Sequence, residues 1–167
     1  MASYSVGDCS RRGLSVRNEI NIKLPSLSVN EGMARAAVAA FCVQADPSAT
    51  ELADIKCAVS EAVTNCIVHA YRDAIGDIQL RVRIYNEGVV KIEIKDRGCG
   101  MTAEQVANVT DPFFTTRKTR KVGLGLPFLK MEAELTGGSF SIESTVGVGT
   151  VATIRIPKGV KNEDHSR

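Results

Sequence analysis

The stretch SEAVTNCIVHAYRD, residues 60–73, sets a carboxylate and a primary amide, Glu61 and Asn65, one helical turn apart inside an otherwise apolar run. Around it Leu52, Ile55, Val59, Ala62, Val63, Cys66, Ile67 and Ala70 recur at three- and four-residue spacing, which predicts a long helix with one face in a core. Ser48-Ala49-Thr50-Glu51 reads as the capping box that opens it. Glu61, Asn65 and His69 form a separate stripe. An amide oxygen on Asn65 suits the oxygen-rich octahedral shell of magnesium. Glu61, on the same face, is placed to orient or deprotonate a hydroxyl attacking a terminal phosphate. Two such residues alone would be ordinary members of a wet helix face, so the reading depends on their company.

Outward from this helix the chain alternates. NEINIKLP, residues 18–25, reads as a strand, and Ser28-Val29-Asn30-Glu31 as a capping box before the helical run GMARAAVAAFCVQA. After the long helix, DIQLRVRIY and GVVKIEIKD alternate apolar and charged residues about a turn at Asn86-Glu87-Gly88, a hairpin with one buried and one wet face. A short helix is expected after Thr102, then a loop without period through DPFFTTRKTRKVGLG. A third main helix begins near Leu126-Pro127 and stops at Gly137-Gly138. SFSIES and TVATIRIP close the chain as two strands. The order β-α-α-β-β-α-β-β predicts an α/β sandwich of two layers: a mixed, mostly antiparallel sheet with helices on one face. Residues 1–17 read as a flexible arm, 18–157 as the domain and 158–167 as a tail.

Composition narrows the function classes. The 167 residues carry 21 Lys and Arg against 19 Asp and Glu, a balance that offers no general nucleic-acid surface. A chain of this size buries roughly 70% of its unfolded surface, enough for one core. The five cysteines lack Cys-x-x-Cys spacing and read as reduced thiols, mostly small buried hydrophobes, in a cytoplasmic protein. No apolar window suggests a signal peptide or a membrane span.

Two glycine pairs carry further chemistry. Asp96-Arg97-Gly98-Cys99-Gly100 ends a strand with a carboxylate able to accept from an exocyclic amine, such as that of adenine, while the glycines let backbone approach a flat ring. Gly123-Leu124-Gly125 lies between a basic loop and a helix start, where unpaired amides and the helix dipole make an anion site. Arg117, Lys118, Arg120 and Lys121 crowd its approach. Neither pair follows the Walker A or the Rossmann pattern.

Taken in order, Glu61-x-x-x-Asn65, Asp96-x-Gly98-x-Gly100, Gly123-x-Gly125 and Gly149-Thr150 resemble the ATPase superfamily of gyrase, histidine kinases and mismatch-repair proteins. NEINIKLPSLSVNEGMARAAVAAF, ELADIKCAVSEAVTNCIVHAYRD and DPFFTTR resemble, more narrowly, the anti-sigma factor serine kinases of spore-forming bacteria. The segment GLGLPFLKMEAELTGG is more similar to a histidine-kinase ATP module.

The resemblance implies a Bergerat-type ATP-binding fold that binds ATP and magnesium. It makes Glu61 the base, Asn65 the metal ligand and Asp96 the partner of the adenine amine. Gly98, Gly100, Met101, Thr115, Thr116, Arg120, Lys121, Gly123, Leu124, Gly125, Leu126 and Thr150 complete the implied nucleotide site, with either Arg120 or Lys121 on the γ-phosphate. The implied activity is phosphorylation of a serine on a small anti-sigma factor antagonist protein. A sigma factor and a second copy of the chain are further implied partners, with neither nucleic acid nor membrane involved. A nucleotide-gated binding module and a stand-alone histidine-kinase-like ATPase are the rival readings.

Overall fold

The computed structural model describes residues 14–71, 74–111 and 125–157. Strands β1 (Val16–Pro25), β2 (Asp77–Tyr85), β3 (Val90–Asp96), β4 (Ser139–Thr145) and β5 (Gly149–Ile156) form one sheet in the order β1-β2-β3-β5-β4. Every neighbouring pair is antiparallel, which corrects the expectation of a mixed sheet. The reason is the last hairpin: β4 runs in the direction of β3 but takes the edge, and its partner β5 fills the place beside β3. β1 begins at Val16, so Val16 and Arg17 belong to the sheet rather than to the arm.

The two periodicities decide the layers. Along β2 and β3 Ile78, Leu80, Val82, Ile84, Val90, Ile92 and Ile94 are all buried, and they face the helices. Each such side chain contributes about 1.5–3 kcal/mol by leaving water. The opposite face stays wet and carries an ion network. Glu19 accepts from Nε of Arg81 and of Arg83, each at 2.8 Å, and Arg83 also pairs with Glu93 at 3.2 Å. The Arg81 hydrogen bond foremost, then those from Asn21 and Arg83, push the Glu19 carboxyl down to about 2.

The helical layer consists of α1 (Asn30–Cys42), a 3-10 turn (Val43–Ala45), α2 (Ala49–Asn65), a π turn (Cys66–Ala70), α3 (Ala103–Asn108) and α4 (Gly125–Leu135). The Ser48–Glu51 box forms as read: Glu51 N donates to Ser48 Oγ at 3.2 Å and Ser48 N to Glu51 Oε2 at 2.6 Å. The box expected at Ser28–Glu31 does not form, because Val29 precedes the helix and Glu31 is engaged elsewhere. Its carboxylate accepts from Ser60 Oγ at 2.6 Å and pairs with Arg35 at 3.7 Å. A box between Thr102 and Gln105 caps α3. Ile55, Val59, Ala62, Val63 and Cys66 fill the core from α2 and the π turn, with Leu52 and Ile67 at its margin. Cys42 and Cys66 are buried as expected, whereas Cys57 and Cys99 are exposed. Among the described residues no helix is long and apolar enough to cross a membrane.

Candidate nucleotide site

The site grows from the end of α2. Asn65 closes the α-helix, and its Nδ2 donates to Glu61 Oε1 at 3.3 Å, one turn back. That bond turns the amide nitrogen toward the carboxylate and leaves Oδ1 as the acceptor end, the ligand type magnesium takes. Glu61 also lies against the first residue of α4: a Cβ built on Gly125 would sit 2.0 Å from Glu61 Oε1. The carboxylate therefore stands beside a helix start, where backbone amides favour anions. Glu61 also lines an open groove of about 580 Å³ between α1 and α2, together with Gly32, Arg35, Lys56, Cys57 and Ser60.

Beyond Asn65 the helix widens into the π turn, so His69 no longer continues the α-helical stripe. The turn instead grips the loop after β3. Cys99 N donates to Ala70 O at 3.0 Å, and Cys99 Sγ donates to His69 O at 3.4 Å. Gly98 packs so closely on the turn that a Cβ there would meet Ala70 O at 2.3 Å. Tyr71 adds a tie, its hydroxyl donating to Asp77 O at 2.7 Å and accepting from Arg97 N at 2.8 Å.

Asp96, the last residue of β3, is a buried charge at the root of this loop, only 4% exposed. Oδ1 accepts from Gly98 N at 2.8 Å and from Thr150 N at 3.2 Å. Oδ2 accepts from the thiol of Cys66 at 3.6 Å, a weak donor, and so keeps acceptor capacity for an amine. Burial first, and then the negative charge of Asp96, push the Cys66 thiol up, so it stays protonated. Gly100 has φ +65°, and a Cβ on it would lie 2.0 Å from Thr145 O, so only glycine lets the loop close onto the β4–β5 turn. Met101 N donates to Ser144 Oγ at 2.9 Å, and Ser144 Oγ lies 2.9 Å from Thr150 Oγ1.

The structure thus brings Glu61, Asn65 and Gly125 together, and separately Asp96, Gly98, Gly100, Met101 and Thr150. Thr150 serves Asp96 through its backbone amide, and Leu126 packs against the core from the first turn of α4. Thr115, Thr116, Arg120, Lys121, Gly123 and Leu124 lie outside the described residues. Cys66, Tyr71 and Ser144 were missed as site residues. For Cys66 the available signal was its place directly after Asn65. The donor sets fit their proposed ligands: an oxygen donor on Asn65 for a hard cation, and a buried carboxylate with a free acceptor site for an exocyclic amine.

A two-layer sandwich with its polar site on the seam between α2, the β3 loop and the start of α4 has the architecture of an ATP-binding domain of the histidine-kinase type. Residues 51–160 match the family of histidine kinase-, DNA gyrase B- and HSP90-like ATPases. Curated relatives narrow this further, and the chain belongs to the anti-sigma F factor family. It is 42% identical over 139 residues to the anti-sigma F factor of Caldanaerobacter subterraneus subsp. tengcongensis, covering 83% of this chain and 92% of the relative. It is 36% identical over 148 residues to that of Priestia megaterium, covering 88% and 96%. The sensor histidine kinase MprB, a mycobacterial protein, shares the fold with a TM-score of 0.55 at 22% identity, over 65% of this chain and 74% of that one.

Proposed function

We propose that the chain is a Mg-ATP-dependent protein serine kinase of the anti-sigma type, acting on a small antagonist protein. The observation that carries this reading is the position of Glu61, whose carboxylate abuts the α4 start and which also lines an open groove. In this reading the open groove lined by Glu61 admits the protein hydroxyl that serves as nucleophile. Bound Mg-ATP supplies the γ-phosphoryl group that such a hydroxyl accepts, with ADP as the leaving group. Glu61 orients the hydroxyl and takes its proton as the new phosphorus–oxygen bond forms. Asn65 offers Oδ1 to the cation, its nitrogen end held by Glu61. Asp96 holds the base through Oδ2. In this reading a sigma factor and a second copy of the chain are binding partners.

The test is transfer of labelled γ-phosphate from ATP onto candidate antagonist proteins. Glu61→Ala should keep nucleotide affinity and slow transfer roughly 10²–10⁴-fold, the range for a lost general base. Asn65→Ala should lose both affinity and transfer. Phosphate release from ATP with no protein acceptor would favour a stand-alone ATPase. Capture of a partner without any transfer would favour a nucleotide-gated binding module. Either result overturns the kinase reading.

A further inference from the structure

Resting on the reading of Asp96 as the base-recognising carboxylate, we propose that Cys66 is a positioning residue that sets how Asp96 meets the base. Its thiol occupies one acceptor site of Oδ2, so that a single site remains for one N–H of an exocyclic amine.

An ionised carboxylate has about four in-plane acceptor sites. Three are filled from within the protein, by donors on three different elements. Gly98 N comes from the loop after β3 at 2.8 Å, and Thr150 N from β5 at 3.2 Å. The third is Cys66 Sγ, from the π turn, at 3.6 Å. The group they hold is nearly sealed, with Asp96 4% and Cys66 7% exposed.

This arithmetic discriminates between ligands. One remaining acceptor site matches one N–H, whereas an open Oδ2 with two sites would accept water beside the ligand and let the amine bind in more than one orientation. Cys66 reads as a core hydrophobe by composition, but its sulfur points at the one charged group buried among the described residues. It is also the residue next to Asn65, so the backbone that carries the proposed metal ligand carries the carboxylate's third donor.

The experiment compares ATP with purine riboside 5′-triphosphate, which lacks only the exocyclic amine, by calorimetry on the whole chain with magnesium present. The parent should prefer ATP about tenfold or more, and Asp96→Ala should abolish the preference. Cys66→Ala and Cys66→Val, which remove the donor with and without loss of volume, should weaken ATP roughly three- to tenfold and leave the analogue within about twofold. Cys66→Ser, which keeps a donor, should retain most of the preference. If the donor-less variants weaken both nucleotides equally, the thiol only packs and the proposal fails. Unchanged preference in those variants refutes it as well. If the parent shows no preference, or Asp96→Ala preserves it, the assignment of Asp96 to the base falls and takes this proposal with it. Loss of the effect at Cys66 alone leaves that assignment standing.

Discussion

Gly125→Ala offers a substitution that should disable chemistry without touching a polar side chain. The added Cβ would lie 2.0 Å from Glu61 Oε1 and 2.2 Å from Cδ, closer than any real contact, so one group must give way. The α4 backbone is anchored through Leu129 and Ala133, which are 4% and 7% exposed in the core. The Glu61 carboxylate is the far end of a rotatable side chain, held by Asn65 Nδ2 at 3.3 Å, so the carboxylate moves. Folding then loses about one weak hydrogen bond, so stability should fall by only roughly 0.5–1.5 kcal/mol. Phosphoryl transfer should fall as though Glu61 were absent, roughly 10²–10⁴-fold, equivalent to about 3–5 kcal/mol of barrier. The assay is single-turnover transfer of labelled γ-phosphate for the parent, Gly125→Ala, Glu61→Ala and the double variant, alongside urea unfolding. Because both substitutions remove one carboxylate from one place, the double variant should be no slower than Glu61→Ala. Losses that multiply in the double variant would refute the reasoning, as would an unfolding midpoint that collapses in Gly125→Ala.

Three further outcomes follow from the packing. Gly100→Ala should cost at least about 1–2 kcal/mol in urea unfolding, from its positive φ and the carbonyl of Thr145 in its path. Ser48→Ala should cost about 1 kcal/mol by the same measurement, because it removes half of the box that starts α2. Glu19 should confer acid sensitivity: its folded value, about 2, lies below its ordinary 4.5, so its contribution is present above about pH 4.5 and lost as pH falls toward 2. Glu19→Gln should therefore flatten that part of the stability profile measured by chemical denaturation across pH, and an unchanged profile would count against the ion network.

What could be read from the sequence was local. Alternation through residues 77–96 gave the central hairpin, and the spacing of Ile55, Val59 and Val63 gave the buried face of α2, because pleat and helix impose those periods on side chains. Glu61, Asn65 and Asp96 stood out only as a set, because the glutamate–asparagine pair and the glycine motifs follow one another in the order of the ATPase superfamily, whereas each alone is an ordinary helix face or turn. The misreadings lie where a distant residue decides. Glu31 was assigned to a cap, yet Ser60, 29 positions away, claims its carboxylate. The sheet order depends on which hairpin strand reaches β3 first, and no window of sequence contains that. Thr102-x-x-Gln105 did carry a capping signature and was passed over. Cys66 was hidden by its own chemistry, since in an apolar run a thiol and a methyl group are read alike.

The π turn explains how two separately legible motifs become one site. His69 and Ala70 close this turn, where helix carbonyls have no partner further along the helix. Ala70 O accepts from Cys99 N and His69 O from the Cys99 thiol. The loop that carries Asp96 is thereby fastened to the segment that follows the proposed metal ligand, and Tyr71 and Cys66 fasten it twice more. A π turn is rarer than α-helix because its hydrogen bonds are poorer, and it persists where the surroundings repay it, frequently at functional sites. Here the repayment is those bonds to the Asp96 loop. The Asp96 loop, which the proposed function assigns to the base, is thus tied to the end of α2 by several hydrogen bonds, whereas α4 meets α2 at the site through a carboxylate set against a glycine. Any adjustment of the phosphate-facing half relative to the base should accordingly occur at the α2–α4 seam, and Glu61, which stands on that seam, is the residue whose geometry such a movement would change.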